Sequence, residues 1–265
     1  MKRTLGEAGK ALKGLVAMST ELEALCDAIF DNVVPAAWAA KAYPSLKPLA
    51  AWVADLLQRC AFIGGWIARG PPSVFWISGF FFPQAFLTGT LQNFARAHGH
   101  PIDTCAFTYI VRSDVPFRAP AADTSGDDDG NSGGAESAVE APEDGCFIGG
   151  LFMEGARWDA ASGALAESRP KELFTPFPVI WLKPVARRPG EGAAADAAEA
   201  QGLDASAAAA RCVYECPVYK TLTRAGTLST TGHSTNFVMD VGVPSAQPAR
   251  HWVNRGAALF CALAF

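Results

Sequence analysis

Over the first hundred residues the apolar positions recur at helical spacing, and from residue 104 onward they fall in short strand-like runs. Residues 4–17 carry Leu5, Leu12, Leu15 and Val16 as one helical stripe. Ser19 is placed to cap a second helix, with Glu21 and Glu23 at its positive end and Leu22, Leu25, Ile29 and Phe30 as its apolar face. Pro35 stops it. A third helix is expected to begin near Ser45 and to present Leu46, Leu49, Trp52, Val53, Leu56 and Leu57. It runs to about Cys60 or beyond, before Gly64-Gly65 and Pro71-Pro72. Pro83 suits the first turn of a fourth helix, where its missing N–H costs nothing. That helix sets Phe86, Leu87, Leu91, Phe94 and Ala95 to one side and closes with Arg96 and Gly99. Between the last two helices, Phe75-Trp76-Ile77-Ser78-Gly79-Phe80-Phe81-Phe82 reads as an extended segment too apolar for solvent. It is the expected seam between a helical half and a β half.

Residues 105–111, rich in β-branched and aromatic side chains, begin the strands. Residues 146–153, Leu165, and residues 179–182, 213–219 and 237–243 supply more, and the tail 252–265 reads as an apolar strand or buried segment. Residues 119–144 and 186–211 are Asp, Gly, Ser, Ala and Pro with little to bury. Such composition does not offset ordering entropy, so both are expected as disordered inserts, the second with an Ala-rich core able to fray into a helix. The expected fold is α+β, with a helical subdomain over 1–103 and an antiparallel sheet or open barrel over 104–265. Leu151 and Met153 alternate with Phe152 and Glu154 in strand fashion, and Trp158 is the expected anchor closing the barrel end. In a core, its truncation would cost about 3–5 kcal/mol.

Composition narrows the function classes. Half of the 265 residues are apolar, enough for a sizeable core. Only 18% are charged, and much of that charge lies in the two inserts. The folded part is therefore expected to expose an apolar docking face, mainly on its helical half. A net charge of −4 with no basic face argues against nucleic acid as a partner. The seven cysteines are scattered, and Cys212 and Cys216 lack the second pair of a zinc site, so free thiols in a reducing intracellular setting are expected. Lys2 and Arg3 precede no signal-peptide core, and no apolar run is long enough to span a bilayer, so no membrane partner is expected.

Candidate chemistry is thin. Gly6, Gly9 and Lys10 imitate a phosphate loop, but the glycine spacing is two rather than four and Ala11 follows the lysine. His98, His100 and Asp103 are too few for a metal. His233-Ser234-Thr235-Asn236 is hydroxyl-rich, yet no nucleophile elbow accompanies it, and such residues in turns hydrogen-bond backbone. Glu154, Asp159 and Glu167 could be imagined as paired carboxylates, but solvated faces and a turn explain them as well. No catalytic, cofactor-binding or metal residue is assigned on residue types.

Gly149-Gly150-Leu151-Phe152-Met153-Glu154-Gly155-Ala156-Arg157-Trp158-Asp159 resembles the C-terminal domain of dynein heavy chains, the axonemal members above all. Further stretches share the resemblance: Glu167-Ser168-Arg169-Pro170-Lys171-Glu172-Leu173, Tyr214-Glu215-Cys216-Pro217-Val218-Tyr219 and Thr227-Leu228-Ser229-Thr230-Thr231-Gly232-His233. Upstream, Lys13-Gly14-Leu15-Val16-Ala17-Met18-Ser19 and Tyr43-Pro44-Ser45-Leu46-Lys47-Pro48-Leu49 do the same. The resemblance implies a helical subdomain followed by an incomplete antiparallel β-barrel that lies across a ring of AAA+ modules, bracing and regulating it within the dynein complex of a cilium or flagellum. It also implies no catalysis by this region, since nucleotide hydrolysis and microtubule binding belong to other parts of those proteins. The alternative is a free-standing β-barrel module binding a small ligand or a ciliary partner.

Overall fold

The structure, a computed structural model, describes residues 1–120, 139–187, 212–224 and 235–264. Most of the two expected inserts, together with His233, Ser234 and Phe265, lies outside those residues.

Six helices are present among the described residues: α1 (Lys2–Leu12), α2 (Thr20–Phe30), α3 (Ala36–Ala39), α4 (Leu49–Arg69), α5 (Pro83–His98) and α6 (Ala249–Arg255). The start of α2 follows from its cap. Ser19 is extended, and its hydroxyl accepts from the Leu22 N–H at 3.3 Å. Pro83 opens α5, and Gly99 closes it in the left-handed region at φ 68°. The third expected helix starts later and runs further than its pattern suggested. Ser45 serves a turn, accepting from the Lys47 N–H at 3.2 Å, and α4 begins only after Pro48. It then continues through Gly64-Gly65 to Arg69. Two glycines cost a helix about 1 kcal/mol each relative to alanine. Here the last turns are held by packing, with Phe62 edge-on to Trp76 at 6.1 Å and Trp66 edge-on to Phe75 at 5.2 Å.

The stripe on α1 is a correction. The helix ends at Leu12, and its buried residues are Ala8 and Ala11. Leu5, Leu12, Leu15 and Val16 face outward. Small side chains let α1 lie close to the layer of Leu25, Trp38, Tyr43 and Trp52. The Trp38 indole N–H then ties it down by donating to Thr4 Oγ1 at 3.1 Å. The apolar face expected on α2 is likewise only partly inward: Leu25 is buried, Leu22 half-buried, and Ile29 and Phe30 exposed.

Eleven strands are described: β1 (Val74–Trp76), β2 (Cys105–Arg112), β3 (Cys146–Gly149), β4 (Phe152–Glu154), β5 (Arg157–Asp159), β6 (Ala164–Ala166), β7 (Phe174–Pro176), β8 (Val179–Ala186), β9 (Cys212–Tyr219), β10 (Phe237–Ser245) and β11 (Ala258–Phe260). They form two sheets, ordered β1-β3-β8-β2 and β5-β6-β10-β9-β11-β4-β7. The class is α+β. The barrel detail is not found, because neither sheet closes on itself among the described residues. Nor is the pairing wholly antiparallel: β1 runs parallel to β3, β11 to β9, and β10 to β6.

The stretch 146–153, expected as one strand, is two strands in two sheets. The break falls at Gly150, whose φ is +86° and whose added Cβ would lie 2.5 Å from the Trp76 ring. Trp76 presses on the backbone there, and only a glycine both turns and admits it. The tail ends in the buried strand β11, as expected, with the helix α6 before it. The principal core joins Ile148, Ile180 and Leu182 of the smaller sheet to Val218, Val241 and Leu259 of the larger one, none of them exposed. Ile77 from the seam and Leu87 from α5 belong to the same cluster. The seam is buried from Trp76 to Gly79, whereas Phe81 and Phe82 are 61% and 55% exposed.

Candidate functional site

The helices meet the sheets around a charge cluster that the apolar pattern did not reveal. Asp55 and Arg59 stand one turn apart on α4, on the same buried side as Trp52 and Phe62. Arg59 Nε donates to Asp55 Oδ2 at 2.7 Å, and Lys47 Nζ lies 3.2 Å from Asp55 Oδ1. The Arg59 guanidinium sits 3.6 Å over the Tyr43 ring and donates to the Phe80 carbonyl at 3.4 Å. Burial disfavours the Asp55 carboxylate, but the Tyr43 hydroxyl, Arg59 and Lys47 outweigh it and hold the carboxyl below the ordinary aspartate range. Burial also drives the Tyr43 phenol upward, with Asp55 adding to the shift. A signal was available in the sequence: between residues 49 and 68 these are the only charges, at i and i+4, amid otherwise apolar helix.

Beside this cluster lies a cavity of about 750 Å³, lined by Asp55, Trp76, Ser78, Phe117, Trp158 and Phe177 among others. The α4 helix, the seam, both sheets and the segment after β11 all reach it. Ser78 pins these parts together, its hydroxyl shared between the carbonyls of Gly150, at 3.1 Å, and Cys261. The hydroxyl faces two acceptors rather than a base, so this geometry clamps backbone and does not activate a nucleophile. Burial pushes the nearby Cys261 thiol up to about 12, leaving it protonated and inert at neutral pH.

The residues singled out from sequence are not brought together. Gly6 and Gly9 lie within α1, where no phosphate-cradling loop exists. Glu154 pairs with Arg224 at 2.5 Å, Asp159 with Arg157 at 3.3 Å, and Glu167 with His251 at 2.7 Å and Arg255 at 2.6 Å. Each carboxylate is thus taken up by its own cation. His98 meets Asp144 at 2.9 Å. No group of three or more His, Cys, Asp or Glu suited to a metal ion is found among the described residues. All seven cysteines are free. Asn236 clamps backbone, accepting from the Thr221 N–H at 3.2 Å and donating to the Thr221 carbonyl at 3.1 Å. No helix of the described residues is long and apolar enough to cross a membrane.

Trp158 is not the core anchor expected. It sits half-buried on β5 at the edge of the larger sheet, edge-on to Phe177 at 5.8 Å, and its indole donates to Ser113 Oγ at 2.8 Å. Trp158→Ala is expected to cost about 1–2 kcal/mol, since only part of the side chain leaves water on folding. Urea denaturation checks it, and a loss above about 3 kcal/mol would restore the anchor role.

The remaining surface is uneven. Every large apolar side chain exposed among the described residues falls within the first 103 positions, except Leu173 and Val253. Phe30 is 90% exposed, Ile67 82%, Leu15 72% and Leu12 69%. These belong to α1, α2, α4 and the turn after α1, whereas the sheets keep their large apolar residues inside.

A family model described as the C-terminal domain of dynein heavy chains matches residues 1–261. Dynein axonemal heavy chain 1 of Rattus norvegicus is 53% identical over 98% of this chain, and its Homo sapiens counterpart is 52% identical over the same share. Dynein axonemal heavy chain 3 of Mus musculus is 46% identical over 99%. The chain spans 5–6% of the length of these relatives.

Proposed function

Because the protein belongs to the family of C-terminal domains of dynein heavy chains, we propose that it acts as a non-catalytic brace on the AAA+ ring of an axonemal motor. It works within the dynein complex, on the microtubule cytoskeleton of a cilium or flagellum. The observation that carries this reading is the outward-facing apolar set on the helical half. Monomeric soluble proteins rarely leave large apolar patches in water, and those that do present a binding face. A brace needs such a face on one side and a stiff body behind it. Stiffness comes from the Asp55–Arg59 pair, which ties α4 to Phe80 of the seam, and from Ser78, which ties the seam to Gly150 and Cys261.

On its own, the protein is expected to self-associate or to bind a hydrophobic dye while folded. Co-expression with a dynein heavy-chain fragment that ends at its last AAA+ module should suppress both and yield a stable complex. The double variant Leu12→Glu/Phe30→Glu alters two largely exposed residues, so its melting temperature should stay within about 2 °C of the parent, as surface changes do. It should nonetheless lose the complex. A monomer that binds no dye and ignores the fragment would sink the docking reading, as would a complex indifferent to the double variant.

A further inference from the structure

A second cavity, of about 470 Å³, is walled by Trp66 near the end of α4, Phe75 of β1, and Phe86 and Phe94 of α5. Glu143 and Asp144, on the segment leading into β3, line it as well, and no Lys or Arg does. Its volume falls within the range of small-ligand pockets. The four rings are all half-buried, so each keeps part of its surface open. Trp66 and Phe75 stand edge-to-face at 5.2 Å, and Phe75 and Phe86 lie 4.9 Å apart. His98 occupies Asp144 Oδ1 at 2.9 Å, leaving the other carboxylate oxygen open to a further donor.

Aromatic faces carry negative electrostatic potential and attract cations, the more so where water is partly excluded. Two carboxylates in the same lining add negative charge, and no Lys or Arg stands against them there; His98 bonds one oxygen of Asp144. An apolar ligand would leave the exposed Glu143 and the second oxygen of the half-buried Asp144 without a partner, and an anion would be repelled. The complementary group has an apolar stem and a positive head. We propose that this cavity receives a lysine or arginine side chain presented by a partner protein. The rings pack the methylenes or the guanidinium plane, and Glu143 and Asp144 take the charge. The site is separate from the exposed apolar set of α1 and α2 and does not depend on what covers it.

The test uses the full 265-residue protein and capped pentapeptides, acetyl-Gly-Gly-Xaa-Gly-Gly-amide, with Xaa arginine, lysine, citrulline or glutamate, followed by saturation-transfer NMR. The arginine and lysine peptides should bind at least fivefold more tightly than the citrulline and glutamate peptides. Glu143→Gln/Asp144→Asn should abolish that preference. Its fold should survive, because the bond from the Trp181 indole runs to the Asp144 main-chain carbonyl. Phe94→Leu, which keeps both carboxylates, should weaken the arginine peptide severalfold. A control, Glu21→Gln/Glu23→Gln on α2, removes the same charge elsewhere and should bind like the parent. Four outcomes would overturn the proposal: no arginine binding, equal binding of the citrulline peptide, a parent-like Glu143→Gln/Asp144→Asn variant, or equal loss in the α2 control.

Discussion

Trp252→Ala is expected to lower the unfolding free energy by about 3–5 kcal/mol, the range for truncating a large aromatic in a core. Trp252 is 1% exposed and is the main buried side chain of α6. Its indole donates to Ser245 Oγ at 2.6 Å, and Ser245 has no exposure of its own. Truncation therefore opens a cavity and also removes the donor from a buried hydroxyl. Ser245 Oγ keeps its bonds to Gln247, at 2.9 Å to the carbonyl and 2.9 Å from the N–H, which limits the second effect. Trp252→Phe retains most of the volume and loses only the N–H, so it should cost about 1–2 kcal/mol. Chemical denaturation of the pair separates the two contributions. A loss below about 1 kcal/mol for Trp252→Ala would mean that α6 does not seal this end of the core.

Arg59→Met should be nearly as damaging, at about 3 kcal/mol, because it leaves the Asp55 carboxylate, 4% exposed, without the guanidinium bonded to it at 2.7 Å. Lys47 remains 3.2 Å away and keeps the loss at the low end of the range for broken buried pairs. Asp55→Leu/Arg59→Met, which removes both charges, should recover most of the stability, since well-packed apolar residues often replace buried pairs without loss. Asp55 also sets a pH dependence of definite sign. Its carboxyl is held below the ordinary aspartate value in the folded state. Its contribution is therefore complete above that ordinary value and is lost as pH falls through the depressed folded value. Asp55→Asn should flatten the parent's fall in stability below about pH 4, the ordinary aspartate range. A variant whose acid limb overlays that of the parent would remove Asp55 from the account.

Local chemistry was legible where it acts locally. Ser19 capped α2, Pro83 opened α5, Gly99 closed it, and β2, β8, β9 and β10 fell where β-branched and aromatic runs placed them. Long-range events were not legible. Three residues of β1 form a strand only because β3, some seventy positions on, lies parallel beside them. Gly149-Gly150 interrupts the run 146–153 in the sequence, but that the chain turns there to admit Trp76 depends on a distant stretch. The α1 stripe misled for a different reason: leucines that face outward have the same period as leucines that meet the domain's own core. The charge cluster around Asp55 was hidden because an i,i+4 acid–base pair on a helix normally lies in water, and only the tertiary packing of Tyr43 and Phe80 encloses it. The carboxylates Glu143 and Asp144 sat in a stretch whose composition spoke only of disorder.

The place of β11 has a consequence for synthesis. It is the last of the described strands to leave the ribosome, yet it stands inside the larger sheet, with β9 parallel on one side and β4 antiparallel on the other. Without β11 the sheet order leaves two separate pieces, β5-β6-β10-β9 and β4-β7, each with an open edge where β11 would pair. Such edges invite pairing with other nascent polypeptides. A premature stop before Ala258 would thus leave two sticky ribbons where one sheet belongs. Quality control should recognise that product by its edges rather than by any missing surface.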